Sequence, residues 1–131
     1  MIVDSSALTA VLLREPGFER VLHHLTGPEP VRVGAPSLVE TGIVLTARIG
    51  LVGKSLLARL LDESGVDVVD LRREHWTVAV DAFVRYGKGR HPAALNFGDC
   101  LTYAVARVAG EPLLCIGGDF SQTDLPLVPL R

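Results

Sequence analysis

Cysteine is scarce: Cys100 and Cys115 are the only two in 131 residues. That excludes a disulfide scaffold, which needs several closely spaced pairs. It also excludes a structural zinc centre, because two distant thiols fall short of a ligand set and the histidines lack ligand spacing. Both cysteines read as small buried hydrophobes. His23 and His24 are neighbours on a helix and point in different directions, while His75 and His91 read as surface or partly buried. Aromatic residues make up only 5% of the chain. Charge of one sign is also missing. The formal net charge is −2, so the whole molecule exerts no general pull on nucleic acid. Any nucleic-acid site must be a local basic patch, or must use metal ions to offset phosphate charge. No apolar run approaches the ~18 residues of a membrane span. Asp4 interrupts the N-terminus before an apolar signal core forms, and no basic segment precedes it. The expectation is a cytoplasmic protein with no membrane contact.

What is present is an ordinary folding composition. Hydrophobic residues make up 48% and charged residues 21%, enough for one domain over residues 1–131 with its own core. Residues 1–4 read as a short buried strand ending at Asp4. Ser5 and Ser6 offer cap hydroxyls for an apolar helix over 7–14. Phe18, Val21, Leu22 and Leu25 share one helix face. A short strand is expected at 31–33, and a helix opened by Pro36 and Ser37 runs to about Ile49. The next helix buries Leu56, Leu57, Leu60 and Leu61, and Gly65 closes it. Residues 66–69 form a strand. Residues 73–86 form a helix that packs Trp76, Val80 and Phe83. A basic glycine-containing loop follows over 87–92. Phe97 or Gly98 opens a helix to Ala109, capped by Gly110. Residues 113–116 form a buried strand, and the proline-containing tail over 125–130 adds at most an edge strand. Short apolar strands alternating with helices predict an α/β sandwich with a central, mostly parallel sheet flanked by helices.

Four acids stand out by position. Asp4 and Asp119 each follow an apolar strand, and ligands of open parallel sheets bind beyond the carboxyl ends of strands. Glu40 lies in the largely apolar helix segment 38–45, and Asp99 lies at the start of another apolar helix. A buried carboxylate without a cation or strong donors is costly, and no Lys or Arg lies one turn from Glu40. Each acid has a plainer reading too. Asp4 fits a helix N-cap, Asp99 a partner of the helix dipole, Asp119 a turn residue, and Glu40 a side chain reaching solvent. Taken together they form a hard-oxygen set without Cys or His, which suits Mg²⁺ or Mn²⁺. Metal-assisted phosphodiester cleavage needs such a set.

Ile2-Val3-Asp4-Ser5-Ser6-Ala7, Pro36-Ser37-Leu38-Val39-Glu40, Leu95-Asn96-Phe97-Gly98-Asp99-Cys100 and the segment from Leu113 through Gly117-Gly118-Asp119-Phe120 occur in this order. In these four segments the chain resembles PIN-domain ribonucleases, and within them the VapC-type toxins of VapBC toxin–antitoxin modules. The resemblance runs from the first residues to the end of the chain. It implies a PIN-like sandwich with Asp4, Glu40, Asp99 and Asp119 meeting at the carboxyl edge of the sheet, Mg²⁺ or Mn²⁺ as cofactor, and RNA as substrate. By position, Asp4 and Asp99 match the direct metal ligands. Glu40 and Asp119 match the pair that orients water or holds a second metal. Ser6 matches a bracing hydroxyl, and Asn96 matches a side chain that holds the loop before Asp99. Asp124 follows closely and is read as a surface residue. A homodimer and a VapB-type antitoxin that wraps the toxin and blocks the acids are also implied.

The basic loop is the expected RNA contact. Lys88 and Arg90 suit phosphates, and Tyr86 or His91 suits base stacking; a merely solvated loop is the plainer reading. The helices over 36–61 offer apolar surface for a partner helix. Three alternatives accompany the toxin reading: a DNA nuclease of the same fold, a catalytically silent binding module, and a response-regulator-like acid pocket. The last lacks the acidic pair and the late lysine it requires.

Overall fold

The structure is a computed structural model and describes residues 1–130. Four strands form its centre: β1 (Ile2–Val3), β2 (Arg32–Gly34), β3 (Asp67–Val69) and β4 (Leu113–Leu114). They pair in the order β3-β2-β1-β4 and all run parallel. Six helices surround them: α1 (Ser5–Leu13), α2 (Phe18–Leu25), α3 (Ala35–Ile49), α4 (Val52–Ser64), α5 (Arg73–Tyr86) and α6 (Phe97–Ala109). This is the α/β sandwich expected from the sequence.

Successive strand side chains point to opposite faces, and that alternation makes the layers. Ile2 and Leu113 join a core with α5 and α6. Val3 and Leu114 join a second core with α1, α2, α3 and α4. Leu8, Leu25, Leu45 and Leu95 are fully buried between these layers, each contributing roughly 1.5–3 kcal/mol of burial free energy.

The strands are shorter than expected where other geometry takes over. β1 stops at Val3 because Asp4 caps α1, its side chain accepting from the Ser6 amide. The cap is thus Asp4 itself, not Ser5 or Ser6. Gly34 ends β2 and caps α3, with proline in its first turn. A side chain at Gly34 would meet Val105 at 3.0 Å, so glycine lets α6 lie close to the sheet. In the tail, Leu127 makes a single parallel bridge to Leu113.

The buried face of α5 differs from the expected one. Trp76, Val80 and Phe83 are exposed, while His75, Ala79, Ala82 and Tyr86 face the core. Small alanines allow α5 to approach α6 closely, and the bulky stripe is left outside. His75 is 2% exposed because its Nδ1 accepts from the Arg72 amide at the helix start. It is a core histidine rather than a surface one.

Candidate active site

Asp4 lies just past the central strand β1, and its amide donates to the Leu114 carbonyl of β4 at 2.9 Å. Its Oδ2 accepts from the Ser6 amide at 3.1 Å. The side chain is buried, and burial is the main force lifting its pKa above the ordinary carboxyl value. Hydrogen bonds from Ser6 and Thr102 oppose that lift, and the charge of Glu40 adds to it.

Glu40 sits on α3, which leaves the end of β2. The Ser5 hydroxyl donates to Glu40 Oε1 at 2.6 Å. The carboxylate also lies against Gly98, where a Cβ would come within 2.8 Å of Oε2. The glycine before Asp99 therefore makes room for the acid of another helix. Asp99 is in the first turn of α6 and is held reciprocally by Asn96. Its amide donates to Asn96 Oδ1 at 2.9 Å, and the Asn96 amide donates to Asp99 Oδ2 at 3.1 Å. This is a capping box. Asp119 is exposed in the turn that follows β4.

The other three acids lie close enough for their charge to act on Asp99. The Asp99 pKa is raised to about 6, first by burial, and further by the charges of Asp119, Asp4 and Glu40. The Cys115 thiol is pushed up to about 12 by burial and then by Asp4, Asp119 and Asp99. Among the described residues, none of the four acids pairs with a basic side chain. The ion pairs go elsewhere: Glu111 holds Arg32 and the Met1 amine, Arg59 pairs with Glu63, and Asp124 takes Arg85 and Arg107. A cluster of carboxylates with no counter-cation suits a hard divalent ion, and the residues present fit one. Among the described residues, no three Asp, Glu, His or Cys side chains close into a ready-made cage.

Ser6 braces the site by its hydroxyl, which accepts from the Ile116 amide at 3.0 Å and ties the exit of β4 to α1. Asp124 stands outside the set: besides its two arginines it accepts from the Tyr103 hydroxyl at 2.6 Å. The expected stacking role of Tyr86 is corrected. Tyr86 is 8% exposed, its ring lies between Tyr103 and His91, and its hydroxyl accepts from Arg85. Lys88 is exposed at the loop tip. Arg90 is exposed but leans on the Val84 carbonyl and the Phe83 ring. His91 is half-buried, its Nδ1 accepting from the Ala93 amide. The sequence reads Ser5, Gly98 and Ser37 only as helix-start residues and does not single out Thr102. Adjacency to Asp4 and Asp99 was a usable signal for the first two. Nothing in the sequence places the others at the site.

The fold and site together are those of a parallel α/β protein with a group of unpaired carboxylates near the carboxyl ends of its strands. Residues 1–125 match the PIN domain family, and the chain belongs to it. Within that family it is similar over its length to VapC ribonucleases. It is 48% identical over 126 residues to ribonuclease VapC36 of Mycobacterium tuberculosis, covering 95% of this chain and 91% of that protein. It is 42% identical over 129 residues to ribonuclease VapC of Mycolicibacterium smegmatis, covering 98% and 99%. The crystal structure of M. tuberculosis VapC20, described as a Sarcin-Ricin loop cleaving toxin, shares the fold with a TM-score of 0.79 at 23% identity over 97% of each chain. A toxin–antitoxin complex from Klebsiella pneumoniae aligns with a TM-score of 0.73 at 12% identity, covering 99% of this chain and 97% of that one.

Proposed function

We propose that this single-domain chain is the toxin of a VapBC-type pair and that it cuts RNA with Mg²⁺ or Mn²⁺ held by Asp4, Glu40, Asp99 and Asp119. Membership among VapC ribonucleases supports endoribonuclease activity. One observation carries the site assignment: Asp99 is raised to about 6 by burial and by the other three acids, and among the described residues none of the four acids pairs with a basic side chain. Asp4 and Asp99 are the direct ligands. Glu40 and Asp119 support them by orienting water or holding a second ion. When bound, a divalent cation supplies an activated water and offsets charge on the phosphate. The protein's own part is placement: Ser5 fixes Glu40, Asn96 fixes Asp99, and Ser6 fixes the turn between Asp4 and β4. Lys88 and Arg90, with His91 beside them, guide the RNA backbone.

A VapB-type antitoxin is the proposed partner. An apolar groove of about 630 Å³ between α3 and α4, lined by Leu38, Val39, Ile43 and Leu57, suits the apolar face of a helix. The exposed stripe of Trp76, Val80, Phe83 and Phe97 supports a homodimer. The proposed place of action is the cytoplasm; among the described residues no helix is long and apolar enough to cross a membrane. The test is cleavage of matched RNA and DNA strands in Mg²⁺, with mapping of the cut ends. Cutting of RNA at a few sites supports the reading, and preferential cutting of DNA overturns it.

A further inference from the structure

Asp4 is the most buried of the four acids, and a chain of hydroxyls reaches it from behind. Ser37 on α3 is 5% exposed and Thr102 on α6 is 2% exposed. Their hydroxyl oxygens lie 3.1 Å apart. Thr102 lies beside the Asp4 side chain, and its hydroxyl opposes the burial-driven rise of the Asp4 pKa. An ionised carboxylate can only accept, so Thr102 donates to Asp4. The Thr102 oxygen is then left to accept, and Ser37 donates to it. With Asp4 ionised, each hydroxyl spends its one proton toward the carboxylate. The base of the chain is held as well, because the Thr41 hydroxyl donates to the Ser37 carbonyl at 2.7 Å. Helices α3 and α6 thus meet through polar groups at this point. Aligned donors in a low-dielectric interior polarise one another and strengthen the terminal bond.

We infer that Ser37 and Thr102 are positioning residues, a buried hydroxyl relay that sets the orientation of the Asp4 carboxylate for divalent-cation binding. The inference rests on the reading of Asp4 as a metal ligand. Its chemistry is that of an outer-shell partner, whose loss typically costs 10–100-fold in metal affinity or rate. The relay also couples the two helices that carry Glu40 and Asp99 to the acid between them. A shift of either helix is felt at Asp4.

The test measures Mn²⁺ binding by titration calorimetry without RNA, alongside kcat and KM for RNA cleavage. The variants are Thr102→Val, Thr102→Ser, Ser37→Ala and Asp4→Asn. Thr102→Val keeps shape and removes the donor. It is expected to weaken Mn²⁺ binding by about tenfold or more and to lower kcat with KM little changed. Thr102→Ser restores both. Ser37→Ala leaves the last bond but removes its support, so a smaller loss in the same direction is expected. It also serves as the deciding variant if Thr102→Val does not fold. Loss of binding in Asp4→Asn with wild-type affinity in Thr102→Val, or in Ser37→Ala where that is the deciding variant, overturns the relay. Unchanged binding in Asp4→Asn overturns the metal reading on which the relay stands.

Discussion

The Ser5 hydroxyl donates to Glu40 Oε1 at 2.6 Å, joining residues that are 35 positions apart. The residue next to the first acid thereby fixes the second. Ser5→Ala should leave the fold intact, at a stability cost of about 1 kcal/mol for one hydrogen bond. The released Glu40 side chain should lower kcat by about tenfold. Thermal unfolding and RNA cleavage kinetics check the two effects separately.

Gly98 gives a sharper separation of stability from activity. Its backbone is not in the left-handed region, and alanine favours helix over glycine by up to about 1 kcal/mol. Gly98→Ala should therefore melt at or above the wild-type temperature. The new Cβ, 2.8 Å from Glu40 Oε2, pushes that carboxylate aside. The expected result is a protein as stable as wild type whose cleavage rate falls by roughly 10–100-fold. Wild-type activity in this variant would show that Glu40 is not needed where it lies.

The raised pKa of Asp99 has a consequence for stability. Its folded value of about 6 lies above the ordinary 3.8. Between these two values the folded state keeps a proton that the unfolded chain has released. Stability is highest below the window and falls as pH rises through it. Asp4 acts in the same direction. In metal-free buffer near neutral pH, Asp99→Asn should be more stable than wild type by ~1–2 kcal/mol after discounting for solvent screening. The advantage should vanish below about pH 4. Added Mg²⁺ should raise the wild-type melting temperature, because a ligand that binds only the folded state stabilises it, and should do less for Asp99→Asn. Melting curves across pH, with and without Mg²⁺, check all of this.

The basic loop separates into contact and core residues. Lys88→Ala should weaken RNA binding for all sequences and reduce the salt slope by about one. Arg90→Ala should act likewise. Tyr86→Ala should instead unfold the protein, at a cost of ~3–5 kcal/mol for a large buried ring. Binding measured over a salt series, with melting curves beside it, distinguishes these outcomes.

Much of the site was legible because burying charge is expensive. Asp4 and Asp119 follow apolar strands, and Glu40 and Asp99 lie in apolar helices, which is what singles them out as candidates. The succession of strands and helices along the chain followed from periodicity, while the strand order β3-β2-β1-β4 did not. The face of α5 did not, because two stripes on that helix satisfy the same spacing. Hydropathy ranks Trp76, Val80 and Phe83 above Ala79 and Ala82, yet close packing against α6 favours the smaller residues. Tyr86 was misread for a related reason: an aromatic next to a basic loop carries no mark of whether its ring turns inward. Thr102 was invisible because a threonine in an apolar helix has no signature until its partner is known. The contact between Ser37 and Thr102 spans 65 positions, and only the assembled helices bring the two together.

The most direct measurement is RNA cleavage by protein stripped of divalent ions and then supplied with Mg²⁺ or Mn²⁺, beside Asp4→Ala and Asp99→Ala. The expected result is no cutting by stripped wild type, recovery on adding either ion, and no recovery in the two variants. Equal cutting by all three proteins, or cutting by wild type in excess chelator, would contradict the claim that these carboxylates work through a shared cation.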